Sequence, residues 1–62
     1  MTEREIILGV LNKAGIKNPS IEAIKGMFFL GMLYELNGNI IFDDGKQEIK
    51  GNTTTGEIIK IR

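Results

Sequence analysis

The chain contains no cysteine, no histidine and no tryptophan, with one proline and one tyrosine in 62 residues. Without cysteine it forms no disulfide, and thiolate zinc and iron–sulfur sites go with it. Without histidine the commonest zinc and copper ligand is missing, and so is the commonest general acid–base group. Ser20 is the only serine, so nucleophilic catalysis has little to draw on. The carboxylates of the second half are Asp43, Asp44, Glu48 and Glu57. Asp43-Asp44-Gly45 reads as a turn, Glu48 and Glu57 read as solvated strand positions, and their spacing matches no calcium loop. The glycines stand singly, so no phosphate-cradling loop is present. These absences set the expectation of a chain that is not an enzyme and holds neither a metal nor a cofactor.

An excess of charge of either sign is also lacking. Eight Lys and Arg balance eight Asp and Glu, and they are spread evenly over both halves. There is no basic footprint for a phosphate backbone and no charged tail. The longest apolar stretch, Ile21 to Leu36, is broken by Glu22, Lys25 and Glu35 and falls short of the ~20 residues a bilayer requires. The N-terminal MTEREIILG places acids where a secretory signal needs bases. A cytoplasmic chain without membrane contact is expected, and the Asn52-Thr53-Thr54 sequon reads as a polar loop.

Size adds a further constraint. A chain this short buries roughly 60% of its unfolded surface and needs a disulfide, a metal or oligomerisation to add stability. Composition removes the first two. The run Gly26–Tyr34, GMFFLGMLY, then carries more apolar surface than one small domain easily hides.

Thr2 and Glu5 form a capping-box pattern, and Ile6, Ile7, Val10, Leu11 and Ala14 recur at helical spacing. Gly15 suits a left-handed residue after a helix, with Ile16 folding back as its hydrophobic partner. A first helix over about 3–14 follows. Asn18 as cap and Pro19 as first helical residue predict a second helix over about 19–36, stopped by Asn37-Gly38. Gly26 and Gly31 fall inside it, where they are expected to let it pack closely on the first helix. Beyond Asn39 the period changes to that of strands, over about 39–43, 46–50 and 57–62. Asp44-Gly45 is read as a two-residue type I′ turn, with Phe42 opposite Gln47 and Ile40 opposite Ile49. The expected fold is therefore α+β, a two-helix hairpin followed by a three-stranded antiparallel β-meander, in one domain. Ile40, Phe42, Ile49, Ile59 and Ile61 are assigned to the helix-covered face. Ile41, Asp43, Lys46, Glu48, Ile58, Lys60 and Arg62 are assigned to the other.

On a continuous second helix, Ile21, Ile24, Met27 and Phe28 fill the core side. Phe29, Met32, Leu33 and Leu36 are left in excess, and Ile41 and Ile58 are placed to meet as a small second contact. These six residues are the expected interface. The expected partner is a second copy of the chain, with a dimer as the default, or another protein accommodated in a Met- and Phe-lined groove. The expected role is that of a homo-oligomeric regulatory or inhibitory interaction module. The alternative is a nucleic-acid-binding regulator of winged-helix or small-repressor type, a layout to which two helices and a hairpin are similar. A recognition helix at 27–36 would contain no Arg, Lys, Asn or Gln. Nucleic-acid contact would therefore fall to Lys46, Lys50, Lys60 and Arg62.

Overall fold

A computed structural model describes residues 2–62. Helices α1 (Glu3–Lys13) and α2 (Ile21–Phe29) precede strands β1 (Leu33–Leu36), β2 (Asn39–Asp43), β3 (Glu48–Asn52) and β4 (Ile58–Lys60). The strands form one antiparallel sheet in the order β1-β2-β3-β4. Helix α1 lies across β2, β3 and β4, whereas α2 lies against β1 alone. The result is a compact α+β domain, but its sheet has four strands where the sequence predicts three.

The first helix forms as its sequence dictates. The Thr2 hydroxyl accepts the Glu5 N–H at 3.2 Å and the Glu5 carboxylate accepts the Thr2 N–H at 3.1 Å, which satisfies two of the free donors at the helix start. At its other end Gly15 has φ 91. The Ile16 N–H donates to Leu11 O at 2.9 Å and the Gly15 N–H to Asn12 O at 3.0 Å, a Schellman motif. Ile6, Ile7, Val10 and Leu11 then pack on Leu33, Ile40, Phe42 and Ile49 as one buried cluster. A side chain so buried is worth roughly 1.5–3 kcal/mol, so this cluster holds the fold together.

The second helix is half the predicted length. Leu30 is its C-cap, and Gly31 has φ 77. The Met32 N–H donates to Met27 O at 2.9 Å and the Gly31 N–H to Phe28 O at 3.1 Å. The same Schellman motif that ends α1 thus ends α2 at a glycine that the sequence reading places mid-helix. Six residues later Asn37 and Gly38 have φ 50 and 77 and join Leu36 to its partner Asn39. Two consecutive residues at positive φ define a type I′ turn, whose twist matches that of the strands it joins. Residues 33–36 are therefore the first arm of a hairpin, with Leu33 and Glu35 on the face of Phe42 and Ile40, and Tyr34 and Leu36 on the other.

The expected Asp44-Gly45 two-residue turn is also corrected. Gly45 alone is left-handed there, at φ 88. The Asp44 carboxylate accepts the N–H groups of Lys46 at 2.9 Å and Gln47 at 2.8 Å, which builds a four-residue connection between Asp43 and Glu48. Phe42 faces Ile49, and Ile40 faces Gly51. The register is shifted by two residues, and a shift of two leaves every side chain on its expected face. Strand β4 is assigned to the opposite faces. Ile58 faces Gly51 and packs on the core, while Ile59 faces Lys50 on the helix-free side. The loop before β4 sets this parity: Gly56 is left-handed at φ 81 and the Asn52 side chain accepts the Thr54 and Thr55 N–H groups. Gly51 lets α1 descend onto the sheet, since a Cβ there would lie 2.6 Å from Val10 Cγ2 and 2.7 Å from Ile6 Cγ2.

Candidate interaction surface

Ser20 caps α2, its hydroxyl accepting the Ala23 N–H at 3.1 Å. Asn18, the expected cap, takes a left-handed conformation at φ 47 instead. At roughly 100° per residue, Ile24 and Met27 fall on one side of α2, and they pack on the core cluster. Glu22, Gly26 and Phe29 fall on the other, with Ala23 and Leu30 flanking Gly26. No residue of α2 is buried, although seven of its nine residues, IEAIKGMFF, carry no charge. Phe29 is 90% exposed and Leu30 70%. Phe28 and Ile21 are also exposed.

Of the six expected interface residues, Phe29 is the most exposed and Leu36 stands half exposed at the end of β1. Met32 packs on the core. Leu33 is a correction: at 1% exposure it belongs to the core, because in a strand it faces Phe42 rather than extending the Phe29 side of a helix. Ile41 and Ile58 do not meet. Ile58 lies on the α1 side, whereas Ile41 lies on the helix-free face in a cross-strand row with Tyr34, Lys50 and Ile59. Ile41 is only 6% exposed, and it lies outside the core cluster. Its neighbours Tyr34 and Ile59 are exposed, as are Leu36 and Ile61. Leu30, Ile21 and Phe28 were not read as surface. Leu30 was within reach, since it stands beside Phe29 in the same uncharged run.

The four basic residues do not converge. Lys46 is exposed in the β2–β3 turn, and Lys50 and Lys60 lie on opposite sides of the sheet. Arg62 is committed within the chain. Its Nη2 donates to both Asp43 carboxylate oxygens at 3.1 and 3.0 Å, its Nε to Glu48 at 3.4 Å and its Nη1 to Gly45 O at 3.3 Å. The Glu48 hydrogen bond and the Asp43 charge raise its pKa. The N–H groups of Ile61 and Arg62 both reach Glu48 O, a β-bulge just before the Arg62 side chain joins this cluster. Among the described residues no group of three or more carboxylates is placed to hold a metal ion, and no helix is long and apolar enough to cross a membrane.

The sheet edges carry devices against strand addition. Edge strand β4 has three residues, carries Lys60 on its inner side opposite Ile49 and runs into the bulge. Edge strand β1 carries Glu35 on its inner side opposite Ile40. Short edges, inward charges and bulges all discourage pairing with another chain. The outer side of α2 has no such protection. No protein-family model, curated protein or solved structure matches this chain.

Proposed function

We propose that this chain is a small interaction module of regulatory or inhibitory type, which acts by binding rather than catalysis and associates with itself through the outer side of α2. The observation that carries the proposal is the exposure of Phe29 and Leu30, at 90% and 70%, on a helix with no buried residue. Monomers place isolated apolar residues on their surfaces without consequence, but adjacent bulky ones on a helix with only two charged residues favour an association site. A second copy suits the site because the chain is electrically neutral and its edges are blunted, which leaves a face as the contact. Absence of cysteine suits a reducing compartment such as the cytoplasm.

The magnitudes favour a reversible complex. Burying Phe29 and Leu30 gains roughly 1.5–3 kcal/mol for each side chain. Two copies of the pair then gain about as much as association costs in lost freedom, ~4–15 kcal/mol. Gel filtration with light scattering, run over a range of protein concentrations, tests this reading. A mass that rises above 6.9 kDa with concentration is expected, and the rise should be absent in Phe29→Lys. A wild-type mass fixed at the monomer value up to millimolar concentration would contradict self-association.

A further inference from the structure

The chain has five asparagines, and the fold holds four of them in ways that it does not hold Asn37. Asn12 accepts a hydrogen bond from Lys17, and Asn52 accepts the N–H groups of Thr54 at 2.8 Å and Thr55 at 2.9 Å. Asn18 precedes Pro19, which has no N–H. Asn39 opens strand β2 and donates from Nδ2 to Asn37 O at 3.3 Å. Asn37 alone precedes a glycine, and both residues of that pair are exposed. Among the described residues no hydrogen bond holds the Asn37 side chain or the Gly38 N–H.

An unheld asparagine side chain is open to attack by the next backbone nitrogen. The Gly38 nitrogen forms a bond to Asn37 Cγ, the Cγ–Nδ2 bond breaks, and ammonia leaves with the Gly38 proton. Water then opens the cyclic imide at either carbonyl, giving aspartate or isoaspartate, and nothing is oxidised or reduced. Glycine suits the step because no side chain crowds its nitrogen. The geometry required is one peptide flip away. A type I′ turn sets ψ of its first central residue near about 30°, which holds the next nitrogen away from that side chain, whereas a type II′ turn sets it near about −120°, which brings the nitrogen alongside. Both turns close two-residue hairpins, and glycine accepts the reversed φ. Gly38 O stays tied to the Thr53 N–H at 3.0 Å and the Thr53 hydroxyl at 2.7 Å, so the flip is confined to one peptide unit. The contact it breaks is the Asn39 hydrogen bond to Asn37 O. Asp44-Gly45 has similar chemistry but is locked. The Asp44 carboxylate accepts the Lys46 and Gln47 N–H groups, and the Gly45 N–H donates to Asp43 at 2.9 Å.

We propose that Asn37 is a self-modification site, which Gly38 converts to aspartate or isoaspartate with water as the only other reactant, and that this conversion weakens the β1–β2 hairpin as the protein ages. Isoaspartate adds a methylene to the backbone, and a two-residue turn has no slack to absorb it. The first strand affected is the edge strand β1, on which α2 rests. Folded protein incubated at mildly alkaline pH in isotopically heavy water, then digested and mapped by tandem mass spectrometry, tests the site. Asn37 should take up heavy oxygen before any other asparagine and give both isomers. Asn39→Val, which removes the hydrogen bond that holds the type I′ form, should speed the uptake. Asn37→Gly, which keeps residues suited to the turn, should abolish it, together with the fall in thermal midpoint expected of aged protein. Uptake no faster at Asn37 than at Asn12 or Asn52 would overturn the site. A rate unchanged by Asn39→Val would overturn the peptide flip, and an aged protein with the thermal midpoint of the fresh one would overturn the weakening.

Discussion

Helices α1 and α2 are bounded by the same chemistry. A hydroxyl, from Thr2 or Ser20, accepts the N–H three residues on. A left-handed glycine, Gly15 or Gly31, then closes a Schellman motif with an apolar residue behind it, Ile16 or Met32. Between these ends the two helices differ completely. Helix α1 buries Ile6, Ile7, Val10 and Leu11 against the sheet, whereas no residue of α2 is buried and only Ile24 and Met27 pack in part on the core. Caps decide where a helix starts and stops, whereas tertiary packing supplies most of its stability. A nine-residue helix resting only on β1 is below the length at which propensity alone sustains it. The contrast assigns α1 to the core and α2 to the surface of the domain.

The largest effect should come from emptying the α1 side. Leu11→Ala should cost about 2–5 kcal/mol, because Leu11 is fully buried and the truncation leaves a cavity. Phe29→Ser, on the corresponding helix, should change the stability of dilute protein by no more than about 0.5 kcal/mol. Denaturant midpoints of both variants measure the contrast, and similar losses would erase it. The next largest effect concerns glycines. Gly51→Ala should destabilise by roughly 1–3 kcal/mol through overpacking against Val10 and Ile6. In dilute protein Gly26→Ala should act with the opposite sign, stabilising by up to ~1 kcal/mol as helix propensity improves. Thermal midpoints that move in the same direction would break this pair.

The contrast also explains which parts of the fold were legible. The capping box, Gly15 and Ile16 could be read directly because polar and apolar residues alternate with helical spacing around them. The β2 and β3 faces could be read because a two-residue error in the turn keeps the alternation. The α2–β1 boundary was hidden by Gly26–Tyr34, which offers no charged residue to distinguish a period of 3.6 from a period of 2. Asp44-Gly45 and Asn37-Gly38 carry the same type of hairpin signal, but only Asn37-Gly38 holds both residues at positive φ. At the candidate site, Phe29 was legible as surplus apolar area on either reading. Leu33 was not: it lies on the Phe29 side only if the helix continues, and a strand turns it into the core.

Smaller effects test the helix starts. Ser20→Ala should cost about 0.5–2 kcal/mol by removing the cap of α2. Thr2→Ala should cost an amount in the same range by removing the cap of α1. Acid should separate the two starts. The backbone and hydroxyl of Thr2 hold the Glu5 carboxyl below its ordinary pKa, whereas the third residue of α2 is Ala23 and carries no acid. The Gln47 and Lys46 N–H groups likewise lower that of Asp44. Both groups are easier to ionise in the folded chain, so the unfolded chain binds more protons in acid. Their stabilisation is complete above the ordinary carboxylate range near ~4 and is lost as pH falls through their lower folded values. Glu5→Gln and Asp44→Asn should each flatten the acid limb of a stability–pH curve, and unchanged limbs would contradict the assignment.

The most direct test of the division between the two helices is a dilution series followed by proton–nitrogen correlation spectra. The amide resonances of Ala23, Gly26, Phe29 and Leu30 should shift progressively with protein concentration while those of Ile6, Val10 and Leu11 stay fixed. Shifts that are absent throughout, or that fall on α1 or the open sheet face instead of the outer side of α2, would contradict the claim that α2 is built for a second copy of the chain.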